Sequence, residues 1–415
     1  METYQLLPKT EQTVCLIYLL VFLPIIIILG SPFINFVLTI FSFLFLYLSF
    51  KFKFWEWLKK TWISLIITFW LYVVFLSFLS PDLENSFRAS FFFIRFVLFA
   101  LCIQYLAFNH LSYLKVFKIW LFILFFVCFD IWVQYFFGTD LFGYPDHGHR
   151  FAGLFGDELV AGAFLWKISA PVVGLLFYDI IYGKRKFIIY SAVTLFLLLI
   201  TILITGERAS FLMFVFAFFL SMSSIFYFLR RIKLFIFFIF ISLFLSFSSL
   251  IFSESIKSRY NDFLNIINNF DDSSYGVLFK SSIEVWKEEK IFGVGLKSYS
   301  KVCDTLSFEN NTIHQQCSTH PHNIYLQILS ETGLIGMILF LSFLISFFLN
   351  YLKFFSKPAT LDKNFILLIC CSFYLFSMFW PLTTSGSFYS TWNGFYYWII
   401  IGLILNISRK KLNFI

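Results

Sequence analysis

The chain has 415 residues, of which 60% are apolar and 13% charged, with a formal net charge of +8. Ordinary soluble domains carry about 25% charged and 45–50% apolar residues, so too few charges remain here to cover a water-facing surface, and a soluble globular fold is excluded. The positive residues sit in short clusters between long apolar runs, a distribution that serves a membrane and not a nucleic acid.

The runs predict an all-α, polytopic membrane protein, one integral membrane domain over 1–415. A helix needs about 20 apolar residues to cross the hydrocarbon core. In chain order the runs are Thr13–Leu29, Phe33–Phe50, Thr61–Leu79, Ala89–Ala107, Val116–Phe137 and Phe151–Tyr178. Then come Phe187–Ile204, Ser210–Phe228, Leu234–Phe252, Ile324–Leu352, Asn364–Trp380 and Gly394–Ile407, giving about 12 transmembrane helices in all. The first run ends at Gly30-Ser31-Pro32 without a small-residue cleavage site and is read as a retained span. Most of the 65 phenylalanines are read as lipid-facing or packing filler.

Lysine and arginine set the orientation. The connections on one side, from Lys9 to Lys411, hold nineteen of them, whereas the short loops on the other side hold only Arg88, Arg150 and Arg208. The positive-inside rule puts both termini in the cytoplasm. The long loop 253–322, between the ninth and tenth spans, then lies in the periplasm or its equivalent. Cys303 and Cys317 lie outside the spans, both on this loop, and an oxidising compartment favours a disulfide between them. Two free thiols, or a zinc site with His314 and His320, are the alternatives.

Four stretches carry polar groups that lipid packing does not explain. His149–Lys167, "HRFAGLFGDELVAGAFLWK", places Arg150 and Glu158 eight apart, on one face of a helix about 12 Å apart along its axis, where they are expected to line a cavity. "TGERAS", Thr205–Ser210, sets Arg208 in a minimal turn with Glu207 beside it to orient the guanidinium, a group suited to bidentate phosphate contacts. Ser274–Tyr299 has the pattern of an interfacial amphipathic helix broken at Gly293 and Gly295. At Thr319–Asn323 the loop meets the tenth span. Thr319 and Pro321 look like cap and first-turn residues, leaving His322 and Asn323 in the first helical turn, where the dipole favours a bound anion and a neutral imidazole. Arg95 in the fourth run is a weaker cavity candidate. The bland alternatives are an interfacial cap, a snorkelling arginine and charges paired among themselves.

These stretches resemble the O-antigen ligase and O-antigen polymerase superfamily of bacterial membrane glycosyltransferases. The likeness rests on His322-Asn323, a nine-residue gap and Gly333-Leu334-Ile335-Gly336, on Arg208 in "TGERAS", and on "RFAGLFGDELVAG" and "IFGVGLKSY". The resemblance implies a metal-independent enzyme without cofactor that takes a glycan from undecaprenyl diphosphate and joins it to an acceptor sugar at the periplasmic face of the inner membrane. His322 would be the base and Arg208 the stabiliser of the leaving diphosphate. Substrate contacts would come from Arg150, Glu158, Lys280, Asn323, His320 and Glu207. Family members often carry a second loop arginine about fifteen residues before the Gly-x-Gly. This chain has Ser274-Tyr275-Gly276 there, and Lys280, Arg259 or Arg150 would have to substitute. The acceptor would be lipid A–core for a ligase, or a lipid-linked glycan for a polymerase. A lipid-linked oligosaccharide flippase is the rival from another class.

Overall fold

The structure, a computed structural model, describes residues 11–106, 113–148, 150–230, 268–310, 317–355 and 361–412, with a few single positions between 236 and 265. It is all-helical there, with no strand among the described residues. The ninth run, Leu234–Phe252, lies outside the described residues except for Ile236, and His149, Arg259 and His314 lie outside them too.

The apolar runs become helices because each can satisfy its own backbone hydrogen bonds without water. They are α1 (Glu11–Val21), α2 (Leu23–Ile28), α3 (Ser31–Lys51), α4 (Thr61–Ser77), α5 (Leu83–Tyr105), α6 (Tyr113–Phe137), α7 (Ala161–Ile168), α8 (Ala170–Tyr182), α9 (Arg185–Ile204) and α10 (Arg208–Leu229). After the loop come α11 (Ser274–Glu288), α12 (Tyr299–Asn310), α13 (Ile324–Phe355), α14 (Lys363–Met378) and α15 (Thr391–Leu412). Among the described residues, six helical segments are long and apolar enough to cross a membrane: Ser31–Lys51, Leu83–Tyr105, Lys115–Phe137, Arg185–Ile204, Arg208–Leu229 and Ile324–Asn350. The pair α7 and α8, bent by 54°, would add a seventh if it forms one span. Pro171 explains the bend, because it lacks the N–H that would carry one helix through. The first apolar run is broken between α1 and α2, while α4 and α14 are shorter apolar helices.

The centre is α15. Phe395 to Ile401 are all buried, so this helix is apolar on every side and sheathed by protein. It packs on α5 and α14, and α14 in turn packs on α8 and α10. The helix α13 lies on α4. Asp82 and Asp362 accept N–H bonds at the starts of α5 and α14, a first-turn function that short acceptor side chains serve well.

The loop before α13 has a small core of its own. Val285, Val294, Tyr299 and Cys303 are buried together, with Cys317 against them. Cys303 and Cys317 form a disulfide with a Cα–Cα distance of 5.7 Å. The amphipathic α11 packs on α13. The glycines after it seat the loop on that helix, and α13 itself is broken at Gly333 (φ +64°) to receive them.

Candidate active site

A cavity of about 1520 Å³ is walled by residues from five stretches: 148–167, 206–213, 270–297, 319–322 and 380–393. Arg150, Glu207, Arg208, His320 and His322 all line it. Glu158, Lys280 and Asn323 do not.

The turn between α9 and α10 builds one wall. Gly206 adopts φ +75°, which lets the chain reverse within a few residues and start α10 at Arg208. The Glu207 carboxylate turns away from solvent and accepts the N–H groups of Gly162 (2.6 Å) and Ala163 (3.0 Å) and the Ser210 hydroxyl (2.9 Å). Those N–H groups belong to the first turn of α7, which has no carbonyl of its own to offer them. Glu207 therefore anchors α7 to the arginine turn. Burial raises its carboxyl above the ordinary value, and the three donors and the charge of Arg150 oppose that rise.

Arg150 reaches the cavity from a loop, not from a helix. Residues 150–160 contain only a short 3-10 turn, Gly153–Phe155. Gly153 adopts φ +52°, and its N–H donates to Gln134 Oε1 at 2.9 Å. A Cβ there would come within 2.8 Å of Asp130 Oδ2, so the glycine is what permits the close approach to α6. The helical register expected for Arg150 and Glu158 does not form, and Glu158 lies off the cavity wall for that reason.

The histidine end departs from expectation in a similar way. The helix begins at Ile324, and Asn323 is its cap: Oδ1 accepts from Tyr325 N (3.0 Å) and Leu326 N (3.1 Å), while Nδ2 donates to Pro381 O (2.7 Å). Neither Thr319 nor Pro321 has that function, and Asn323 is buried as a bracket between α13 and the segment after α14. His322 stands just outside the helix at φ +54°, a conformation that costs a non-glycine residue free energy. Its carbonyl is held by Ser385 N at 2.8 Å and its Nε2 meets Ser318 Oγ at 3.3 Å. The His320 ring lies against it, centroids 4.1 Å apart. Burial lowers the pKa of both: His322 falls below its usual 6.5, and His320 drops to about 4, helped by the charges of His322 and Lys297. The direction of both shifts favours the neutral imidazole, the form that can accept a proton.

Lys280 faces outward to Asp271, 3.4 Å from Oδ1. Arg95 bonds Asn35 Oδ1 at 3.3 Å and does not line the cavity.

Two parts of the site escaped the sequence reading. The first is the segment Trp380–Asn393, which supplies Thr383, Thr384, Ser385, Gly386 and Ser387 to the wall. Its signal was a run of small hydroxyl residues between two apolar runs. The second is Lys297, in the Gly-x-Gly loop, whose N–H donates to Glu331 Oε1 at 3.0 Å. Glu331 is fully buried, and Gln327 bridges it at 3.2 Å to Ser387 at 2.8 Å. Among the described residues no three His, Cys, Asp or Glu side chains gather as metal ligands would.

No curated protein matches the chain. Residues 193–341, about a third of its length, match the O-antigen ligase family. The matched stretch runs from α9 through the arginine turn, the loop and the break in α13, and it contains Arg208, Lys297 and His322. Over that stretch the chain is similar to the O-antigen ligase family.

Proposed function

We propose that the protein is a metal-independent glycosyltransferase of the O-antigen ligase type, moving a glycan from undecaprenyl diphosphate to an acceptor sugar of lipid A–core. The observation that carries this reading is that Arg208 and His322, from opposite ends of the family-matched stretch, line one cavity. The neutral His322 accepts the proton of the acceptor hydroxyl. That oxygen bonds to the anomeric carbon, and the carbon–oxygen bond to the diphosphate breaks with its electron pair leaving on the diphosphate. Arg208 stabilises the charge that develops there, with Arg150 as the second guanidinium in the place of the missing loop arginine. Stabilisation of this kind is often the largest single contribution to rate, and a positioned base adds about 10²–10⁴-fold.

The apolar runs support about twelve spans, and the lysine and arginine asymmetry supports cytoplasmic termini and a site facing the periplasm, in the inner membrane of a bacterium. The test is transfer by the purified protein from lipid-linked donor to core acceptor. We expect His322→Ala to lower the rate by roughly 10²-fold or more while the protein still folds. A variant as active as the parent removes His322 from the chemistry, and a parent that forms no glycosidic bond overturns the enzyme reading in favour of a transporter. Deleting the gene separates the acceptors: bare core on a lipopolysaccharide gel supports a ligase, and core plus one repeat unit identifies a polymerase.

A further inference from the structure

Two buried or half-buried ammonium groups on the cavity wall have no part in the transfer step described above. Lys167, 3% exposed, comes from α7. Its Nζ donates to Asn393 Oδ1 and lies 5.5, 5.9 and 5.2 Å from the ring centroids of Trp166, Trp392 and Tyr396. Lys297 comes from the loop, at φ +62°, and its Nζ meets Ser387 Oγ at 3.4 Å. One short segment joins the two: Asn393 Nδ2 donates to Gly386 O at 2.7 Å, so that its Oδ1 is left to face Lys167, and it also touches Ser387 O at 3.4 Å.

An ammonium group has three donors. Among the described residues, Asn393 Oδ1 is the hydrogen-bond acceptor for Lys167 and Ser387 Oγ the one for Lys297. The charge inventory is unbalanced in the same place. Arg150, Lys167, Arg208 and Lys297 line the cavity, against Glu207 as the lining carboxylate. Glu207 is already occupied by three donors, and Glu331, which faces Lys297 from behind, is fully buried and bonded to a backbone N–H and to Gln327. Two guanidiniums suffice for a diphosphate, which leaves the lysines with donors to spare. The half-buried Trp392 reaches the cavity beside them, an apolar ring next to the ammonium that it shares with the buried Trp166 and with Tyr396. A pyranose with one acidic substituent has the matching shape, an apolar ring face and an oxyanion at its edge.

We infer that Lys167 and Lys297, held together through Ser387 and Asn393, form an oxyanion subsite for an acidic sugar of the glycan, bearing a carboxylate or a phosphate. This rests on reading the cavity as the transfer site. It adds that the saccharide handled there is anionic, and that the lysines and not the arginines select it.

The test uses the full chain purified in detergent, with glucuronate, glucose 6-phosphate, glucose and pyrophosphate as probes, each titrated by calorimetry. Glucuronate or glucose 6-phosphate is expected to bind the parent at least about tenfold more tightly than glucose, the worth of one charge-assisted hydrogen bond. The tighter of the two identifies the acid. Lys297→Gln should remove that preference and leave pyrophosphate binding unchanged, whereas Arg208→Gln should weaken pyrophosphate and spare the acidic sugar. Lys297 is the primary variant because it is less buried than Lys167, and its melting temperature reports whether it folds. Equal binding of glucose and both acidic sugars overturns the subsite. So does a Lys297→Gln variant that loses pyrophosphate instead, which would assign the lysine to the carrier's diphosphate. A parent that binds acidic sugar but not pyrophosphate keeps the subsite and removes the diphosphate reading of Arg208.

Discussion

Replacing Gly333 with alanine perturbs the joint between the loop and α13 at its tightest point. Four backbone hydrogen bonds cross that joint: Val294 N to Ser330 O (3.1 Å), Gly295 N to Glu331 O (2.8 Å), Leu334 N to Lys290 O (3.0 Å) and Ile335 N to Ile291 O (3.3 Å). Tyr72 of α4 donates to Phe292 O and Thr332 O, one on each side of it. A Cβ at Gly333 would stand 2.6 Å from Gly293 N and closer still to the Ile291 carbonyl. The loop has to lift away. Four bonds at about 0.5–1.5 kcal/mol each amount to roughly 2–6 kcal/mol. Holding alanine at φ +64°, ψ −167° adds about 1–3 kcal/mol. Even the low ends together, about 3 kcal/mol, raise local opening roughly a hundredfold. The assay is amide hydrogen exchange, comparing peptides over 286–300 with peptides in α5 and α15. Faster exchange confined to the loop, with transfer activity falling in parallel, is the expected result. Unchanged protection in 286–300, or an equal loss in α15, refutes the claim that these bonds seat the loop.

Acid should destabilise the protein through His320. Its folded pKa of about 4 lies below the usual 6.5, so the unfolded chain binds the extra proton and stability falls as pH drops from about 6.5 towards 4. Melting temperature against pH should slope less in His320→Gln than in the parent; identical slopes discard the explanation. Glu207→Gln keeps one acceptor oxygen but loses charge-assisted bonds at the start of α7, and a cost of about 1.5–3 kcal/mol should appear as a lower melting temperature. A variant as stable as the parent would mean that α7 is anchored elsewhere. Reducing the Cys303–Cys317 bond, or replacing Cys317 with serine, releases the segment that leads to the histidines. The loop it closes is worth about 3 kcal/mol, so exchange in 299–306 should speed up and transfer should slow; insensitivity of both to reductant would separate the bridge from the site.

Much of this could be read in advance, because charges in a greasy chain are conspicuous. Arg208 in a turn too short to hide it, and His322 at the mouth of a long apolar run, stood out as candidates by cost, and the resemblance to the ligase superfamily gave them their expected roles. What stayed hidden was carried by residues with cheap alternatives. Asn323 next to the histidine looked like a ligand contact, yet an Asx side chain at a helix start serves the backbone equally well. The span from Arg150 to Glu158 matched a helical period, but its glycines follow the profile of α6 instead. Ser385 and Ser387 attracted no notice because serine in an apolar helix protein is unremarkable until its neighbours are known. Lys297 was one lysine among seven basic residues of its loop, and only the buried carboxylate of Glu331, far along the chain, distinguishes it.

The break in α13 also decides which parts of the molecule are left to move. Lys297 and His322 are mounted on the same helix, one strapped across its interruption and the other at its leading end, and both are tied to the segment that follows α14. They travel as a unit or not at all. A bulky amphiphile entering sideways from the bilayer would therefore meet a fixed jamb on this flank.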